Sequence, residues 1–162
     1  MNQILHQPGF LGTNANLATD ITLLVGLLVA TLFTGGMIMA IQRRYQVHRW
    51  IQTTAAALNA IFVLWMMVLP FRDFVVRDFM GSRLPIFYYV TTLHALIGFF
   101  GLTFGLFVVL RANKVKLIPT ALQFNNYKLF MRISYSLYML ATLVGLGVYL
   151  VWFMIIPDPP SF

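Results

Sequence analysis

The chain is predicted to be all-α, a four-helix transmembrane bundle running up-down-up-down with short loops. Three observations carry this. Hydrophobic residues make up 60% of the 162-residue chain and charged residues 9%, against about 25% charged in a typical soluble domain. The apolar residues gather in four stretches, 21–42, 50–69, 86–110 and 131–156. Each is at least as long as the roughly 20 residues that a helix needs to cross a hydrocarbon core about 30 Å thick. Apart from Arg132 at the start of the fourth, the cationic residues sit between these stretches rather than within them, the pattern of topogenic loops.

The elements follow in order. Residues 1–20 read as an exposed arm broken by Pro8, Gly9, Gly12, Asn14 and Asn16, and Met1 to Asp20 contains no Lys or Arg. A signal peptide would carry a basic n-region, so the first span is expected to act as its own insertion signal. Asp20 is the expected cap of that span, since a carboxylate suits a helix N-terminus. His6, in the arm, reads as an exposed histidine of no consequence. Span one holds Gly26, Thr31, Thr34, Gly35 and Gly36, small residues suited to close helix contact in lipid. Span two holds Asn59 near its middle, an amide that wants a partner because lipid offers none, and ends at Pro70.

The 71–85 segment intersperses Arg72, Asp73, Arg77, Asp78 and Arg83 with Phe74, Val75, Val76, Phe79 and Met80. It fits either an interfacial amphipathic helix over 72–81 or a solvated loop of neighbouring Arg–Asp pairs. Span three enters through Pro85, Tyr88 and Tyr89. The tail 157–162 is too short for a domain, and 21–156 reads as a single transmembrane domain.

Loops 43–49 and 111–132 hold eight of the eleven Lys and Arg: Arg43, Arg44, Arg49, Arg111, Lys114, Lys116, Lys128 and Arg132. By the positive-inside rule these loops are cytoplasmic and both termini face outward, most simply in a bacterial inner membrane. The net charge of +7 therefore reads as topology and contact with anionic phospholipid near Arg43, Arg44 and Arg49, not as a nucleic-acid surface.

The chemistry available is narrow. There is no cysteine, which removes disulfides, thiolate metal sites, iron–sulfur clusters and cysteine nucleophiles. There is no glutamate, and Asp20, Asp73, Asp78 and Asp158 all lie at the edges of spans. Carboxylate-driven pumping and carboxylate-pair hydrolysis are disfavoured, and no phosphate-binding loop is present. No intrinsic catalysis is expected.

The exception to this plainness is His94, the one imidazole well inside a span. Gly98, Gly101 and Gly105 follow it at i+4, i+7 and i+11 and so share its face. Gly101 and Gly105 form a small-xxx-small pair. That face is expected to meet protein, because a histidine turned to lipid is costly. Three readings remain for His94. It can belong to a polar layer with Asn59, Thr31 and Thr142 that fixes helix register. It can line a quinone or lipid-headgroup pocket with Tyr89 or Tyr88. It can also ligate haem b. Bis-histidine ligation with His48 is disfavoured by depth: His94 lies about 13 Å inside one face, His48 at the other, about 20 Å apart along the membrane normal. A pair with Met66 or Met67 is the remaining haem geometry.

The run Arg43-Arg44-Tyr45-Gln46-Val47-His48-Arg49 resembles the basic opening of span two in the CtaM/YozB-like membrane proteins. So do the Tyr88–Leu96 segment around His94, and Lys128–Arg132 running into Leu146–Leu150. The resemblance covers about residues 40–153. It implies a four-helix protein associated with assembly of haem-copper oxidases. Members usually carry further histidines late in span two and before span four. Here those places read Met66–Pro70 and Asn125–Lys128, so any metal or haem ligation they provide is expected to be lost. The resemblance then implies a scaffold: an accessory subunit or assembly factor beside larger integral-membrane redox subunits.

Overall fold

The computed structural model describes residues 7–68, 71–72, 85–113 and 126–155. It is an all-helical four-helix bundle. Helix α1 is Leu17–Ile41. Helix α2 is Tyr45–Phe62 and widens into a π-helical run, Val63–Val68. Helix α3 is Pro85–Ala112, and α4 is Tyr127–Leu150 with a π-helical end, Val151–Ile155. All four are long and apolar enough to cross a membrane, the shortest span being the 24 residues of Tyr45–Val68, which rise about 36 Å at 1.5 Å per residue. The chain is an integral membrane protein.

The helices begin earlier than hydropathy suggests, because a helix and its apolar core are not the same thing. The Asn16 side chain accepts from the Thr19 N–H at 2.9 Å and caps α1. Asp20 is therefore not the cap: it lies inside the first turn. Asn126 plays the same part for α4, accepting from the Leu129 N–H at 3.2 Å. Between α1 and α2 the chain turns sharply. Arg43 N–H donates to the Ala40 carbonyl at 3.0 Å and Arg44 N–H to the Met39 carbonyl at 2.9 Å, the two bonds of a Schellman ending. Its left-handed residue is Arg43, at φ 60, a conformation in which glycine is the favoured occupant.

Packing closes a ring: α1 lies along α2 and α3 along α4, and the smaller α1–α4 and α2–α3 contacts join the two hairpins. Small residues are prominent among the buried ones, Val29, Ala30, Ala55, Ala56 and Ala141, beside the aromatic Phe62, Tyr88, Tyr149, Trp152 and Phe153, while Leu28, Ile61, Leu93, Phe99 and Leu143 point outward. That is a soluble protein inverted, as expected where helix contacts are made by close approach and lipid solvates the rest. The glycine face of α3 meets α4: a Cβ on Gly101 would lie 3.5 Å from the Tyr138 backbone nitrogen, and one on Gly105 3.1 Å from Ser134 Oγ. Gly98 departs from the expected stripe, having nothing within 4 Å of its Cβ position.

The arm is not simply exposed. Ala15 is 3% exposed and sits in an aromatic cluster with Tyr88, Tyr149, Trp152 and Phe153. Asn14 N–H donates to the Phe153 carbonyl at 3.1 Å, and Gly9 N–H to the Ala15 carbonyl at 2.9 Å. The arm thus folds over the end of the bundle where α1 starts and α4 finishes. His6, the interfacial helix expected over 72–81 beyond Arg72, most of the 111–132 loop and the 157–162 tail lie outside the described residues.

Candidate functional site

His94 stands about a third of the way along α3, with its ring laid on the backbone of α4. A Cβ on Gly145 would lie 2.7 Å from His94 Cε1, 3.2 Å from Nδ1 and 3.4 Å from Nε2. No side chain fits there, so Gly145 is what admits the ring. Nδ1 is buried with no hydrogen-bond partner, and so is Oγ1 of Thr91, one turn before it. Positions i and i+3 share a helix face. Two orphaned polar atoms therefore sit together against α4, where an unmade bond costs about 1–3 kcal/mol.

The other expected members do not gather around the ring. Tyr89 is 60% exposed. It lies five residues, or about 140° of helix rotation, from His94. Tyr88 is buried, but in the aromatic cluster under the arm. Asn59 is buried on α2, and His94 Nδ1 is not bonded to it. Thr31 donates to the Leu27 carbonyl at 2.9 Å and Thr142 to the Tyr138 carbonyl at 3.0 Å. Each of these hydroxyls thus returns to its own helix rather than to a shared layer.

The polar ties lie elsewhere. On α2, His48 Nδ1 donates to the Gly36 carbonyl at 2.7 Å, and Gln52 Nε2 to the Phe33 carbonyl at 3.0 Å. On α4, the Tyr135 hydroxyl is 3.1 Å from Thr34 Oγ1, and Tyr138 donates to the Gly26 carbonyl at 3.3 Å. Asn113, just past α3, accepts from Arg49 Nε at 2.9 Å and donates to Thr53 Oγ1 at 3.0 Å. At the opposite end Asp20, 0% exposed, accepts from the Tyr149 hydroxyl at 2.7 Å and from the Leu11 N–H at 2.8 Å. Because Tyr149 uses its proton on Asp20, Thr13 donates to Tyr149 across their 2.9 Å contact. Depth matching could have found two of these pairings. Asp20 and Tyr149 lie near the same end of antiparallel neighbours, and His94 and Gly145 lie about equally far from that end.

A haem b fits this geometry poorly. His48 Nδ1 is engaged on Gly36, and both His94 nitrogens lie close against the α4 backbone, where a porphyrin has no room. Among the described residues no three His, Asp or Glu side chains come together. Compared with protein-family models, curated proteins and solved structures, the chain matches none of them.

Proposed function

We propose that this chain is a small accessory or structural subunit, or an assembly factor, of a membrane-bound respiratory or photosynthetic electron-transfer complex. The host is an oxidase or a quinol-oxidising complex such as alternative complex III, in a bacterial inner membrane. Loops 43–49 and 111–132 face the cytoplasm and both termini face outward. The partners are larger integral-membrane redox subunits, with anionic phospholipid near Arg43, Arg44 and Arg49.

One observation carries this reading: the inward polar side chains tie helix to helix, as His48, Gln52, Tyr135, Tyr138 and Tyr149 do, and no catalytic cluster is assembled from them. The likeness of residues 40–153 to oxidase-assembly proteins supports the choice of host. Purification from native membranes in mild detergent, followed by mass spectrometry, is expected to recover redox subunits with the chain. Recovery of the chain alone, under conditions that keep the oxidases intact, contradicts the reading. His94→Ala is expected to impair assembly of the host complex without removing any activity intrinsic to this chain.

A second reading, a redox protein holding quinone or haem b at His94, is favoured by the two orphaned atoms, His94 Nδ1 and Thr91 Oγ1. Visible absorption of the purified protein tests its haem form: a Soret band supports it. Quinone retained by the wild type and lost in His94→Ala supports the other form.

A further inference from the structure

The arm turns its largest apolar side chains away from the bundle. Phe10 is 56% exposed and Leu11 41%, whereas the small Ala15 is the arm residue buried among the aromatic rings. The backbone fixes that exposure. The Asp20 carboxylate holds the Leu11 N–H, the Ala15 carbonyl the Gly9 N–H and the Phe153 carbonyl the Asn14 N–H. A glycine stands on each side of the pair. A Cβ on Gly9 would lie 2.8 Å from the Ala15 carbonyl oxygen, and Gly12 turns the chain back at φ 70, a conformation in which glycine is favoured. The result is a short, tied loop with Phe10 and Leu11 at its tip.

Depth decides what meets this tip. Helix α1, Leu17–Ile41, is centred on Val29. Asp20 is nine residues from that centre, about 13 Å at 1.5 Å per residue, and half of a hydrocarbon core is about 15 Å. The carboxylate that holds Leu11 is therefore level with the boundary between acyl chains and headgroups. Exposed Trp65 of α2 and Tyr89 of α3 stand at the same end of the bundle, as such rings do at a membrane interface. Gln7 to Asn16 include no ionisable side chain, whereas eight of the eleven Lys and Arg lie at the opposite end.

We propose that the Phe10–Leu11 tip is a membrane anchor, both side chains entering the leaflet on that side by apolar burial alone, with no requirement for anionic headgroups. Lipid then holds the arm from without as Asp20, Tyr149 and Phe153 hold it from within. The inference is independent of the accessory-subunit reading, because it needs only the bilayer.

The chain has no cysteine, so Phe10→Cys, Leu11→Cys and Asn14→Cys, all at exposed positions, each accept a single nitroxide label. The full-length variants are reconstituted in vesicles of phosphatidylcholine, alone or with phosphatidylglycerol. Paramagnetic resonance then compares collisions of each label with oxygen, which concentrates among acyl chains, and with a neutral nickel chelate confined to water. The ratio of oxygen to nickel collisions is expected to be several-fold higher at 10 and 11 than at 14, and the same in both kinds of vesicle. Labels at 10 and 11 as open to nickel as the label at 14 overturn the proposal, the result expected of a tip made for a protein partner. Entry into the leaflet only where phosphatidylglycerol is present overturns it too. The two tip sites are read separately, so a variant that fails to fold leaves the other to decide.

Discussion

The two hairpins of this bundle are held by different means. In α1–α2 the join is made by polar side chains on backbone carbonyls: His48 on Gly36 and Gln52 on Phe33. In α3–α4 it is made by shape. The His94 ring occupies the space Gly145 leaves, Gly101 lets the backbone of α4 come close, and Phe104 stacks on Phe130. Among the described residues the first hairpin leaves no buried polar side-chain atom unbonded, with Thr34 and Asp20 reaching Tyr135 and Tyr149 of α4. The second leaves His94 Nδ1 and Thr91 Oγ1 unbonded and a groove open on its outer face. The lesson is that in a membrane, hydrogen bonds to backbone can complete a helix pair, whereas close packing completes only the contact. Anything this protein binds within the bilayer is more readily sought on α3–α4.

The contrast can be broken with glycine substitutions. Gly145→Ala places a methyl group against a rigid ring, and overpacking of that kind costs about 1–3 kcal/mol; thermal unfolding in detergent should show the largest loss here. Gly36→Ala meets the flexible end of Gln52, whose Nε2 would lie 2.6 Å from the new Cβ. That amide can swing aside and give up one bond, so the expected loss is smaller, about 1 kcal/mol.

Asp20 tests the closure that spans both hairpins, from α1 through the arm to α4. Asp20→Ala strands the Leu11 N–H and the Tyr149 hydroxyl. A loss of about 1–3 kcal/mol is expected, along with faster proteolysis within residues 7–16. Unchanged protease resistance would mean that Ala15 and its aromatic neighbours hold the arm without the carboxylate.

Gln52→Ala comes next, at about 0.6 kcal/mol, the average for hydrogen bonds between membrane helices. Smallest, and opposite in sign, is Arg43→Gly. It relieves a left-handed residue and should raise stability by about 1 kcal/mol or less.

The sequence was most informative where lipid is the deciding influence. Four apolar stretches and the inward turn of His94 follow from what hydrocarbon will not solvate, and the glycines at 101 and 105 mark the face that α4 covers. Helix ends were less legible. Asn16 and Asn126 cap by local geometry that hydropathy does not register, and Asp20, rightly placed near a helix start, is engaged by Tyr149 129 residues away. Polar partners were the least legible. Asn59, Thr31 and Thr142 share a depth, yet both threonines satisfy themselves one turn back. Side-chain direction on each helix, not depth alone, decides which groups meet, and Tyr89 misses His94 for the same reason.

The account rests on His94 being seated on the bare backbone of Gly145, and a double-mutant cycle tests that contact most directly. Stability in detergent would be measured for His94→Ala, Gly145→Ala and the pair. If the ring and the glycine fit as described, Gly145→Ala is costly beside histidine and nearly harmless beside alanine, a coupling of about 1 kcal/mol or more. If the two losses simply add, the ring does not lie on Gly145, and the contrast between the hairpins fails with it.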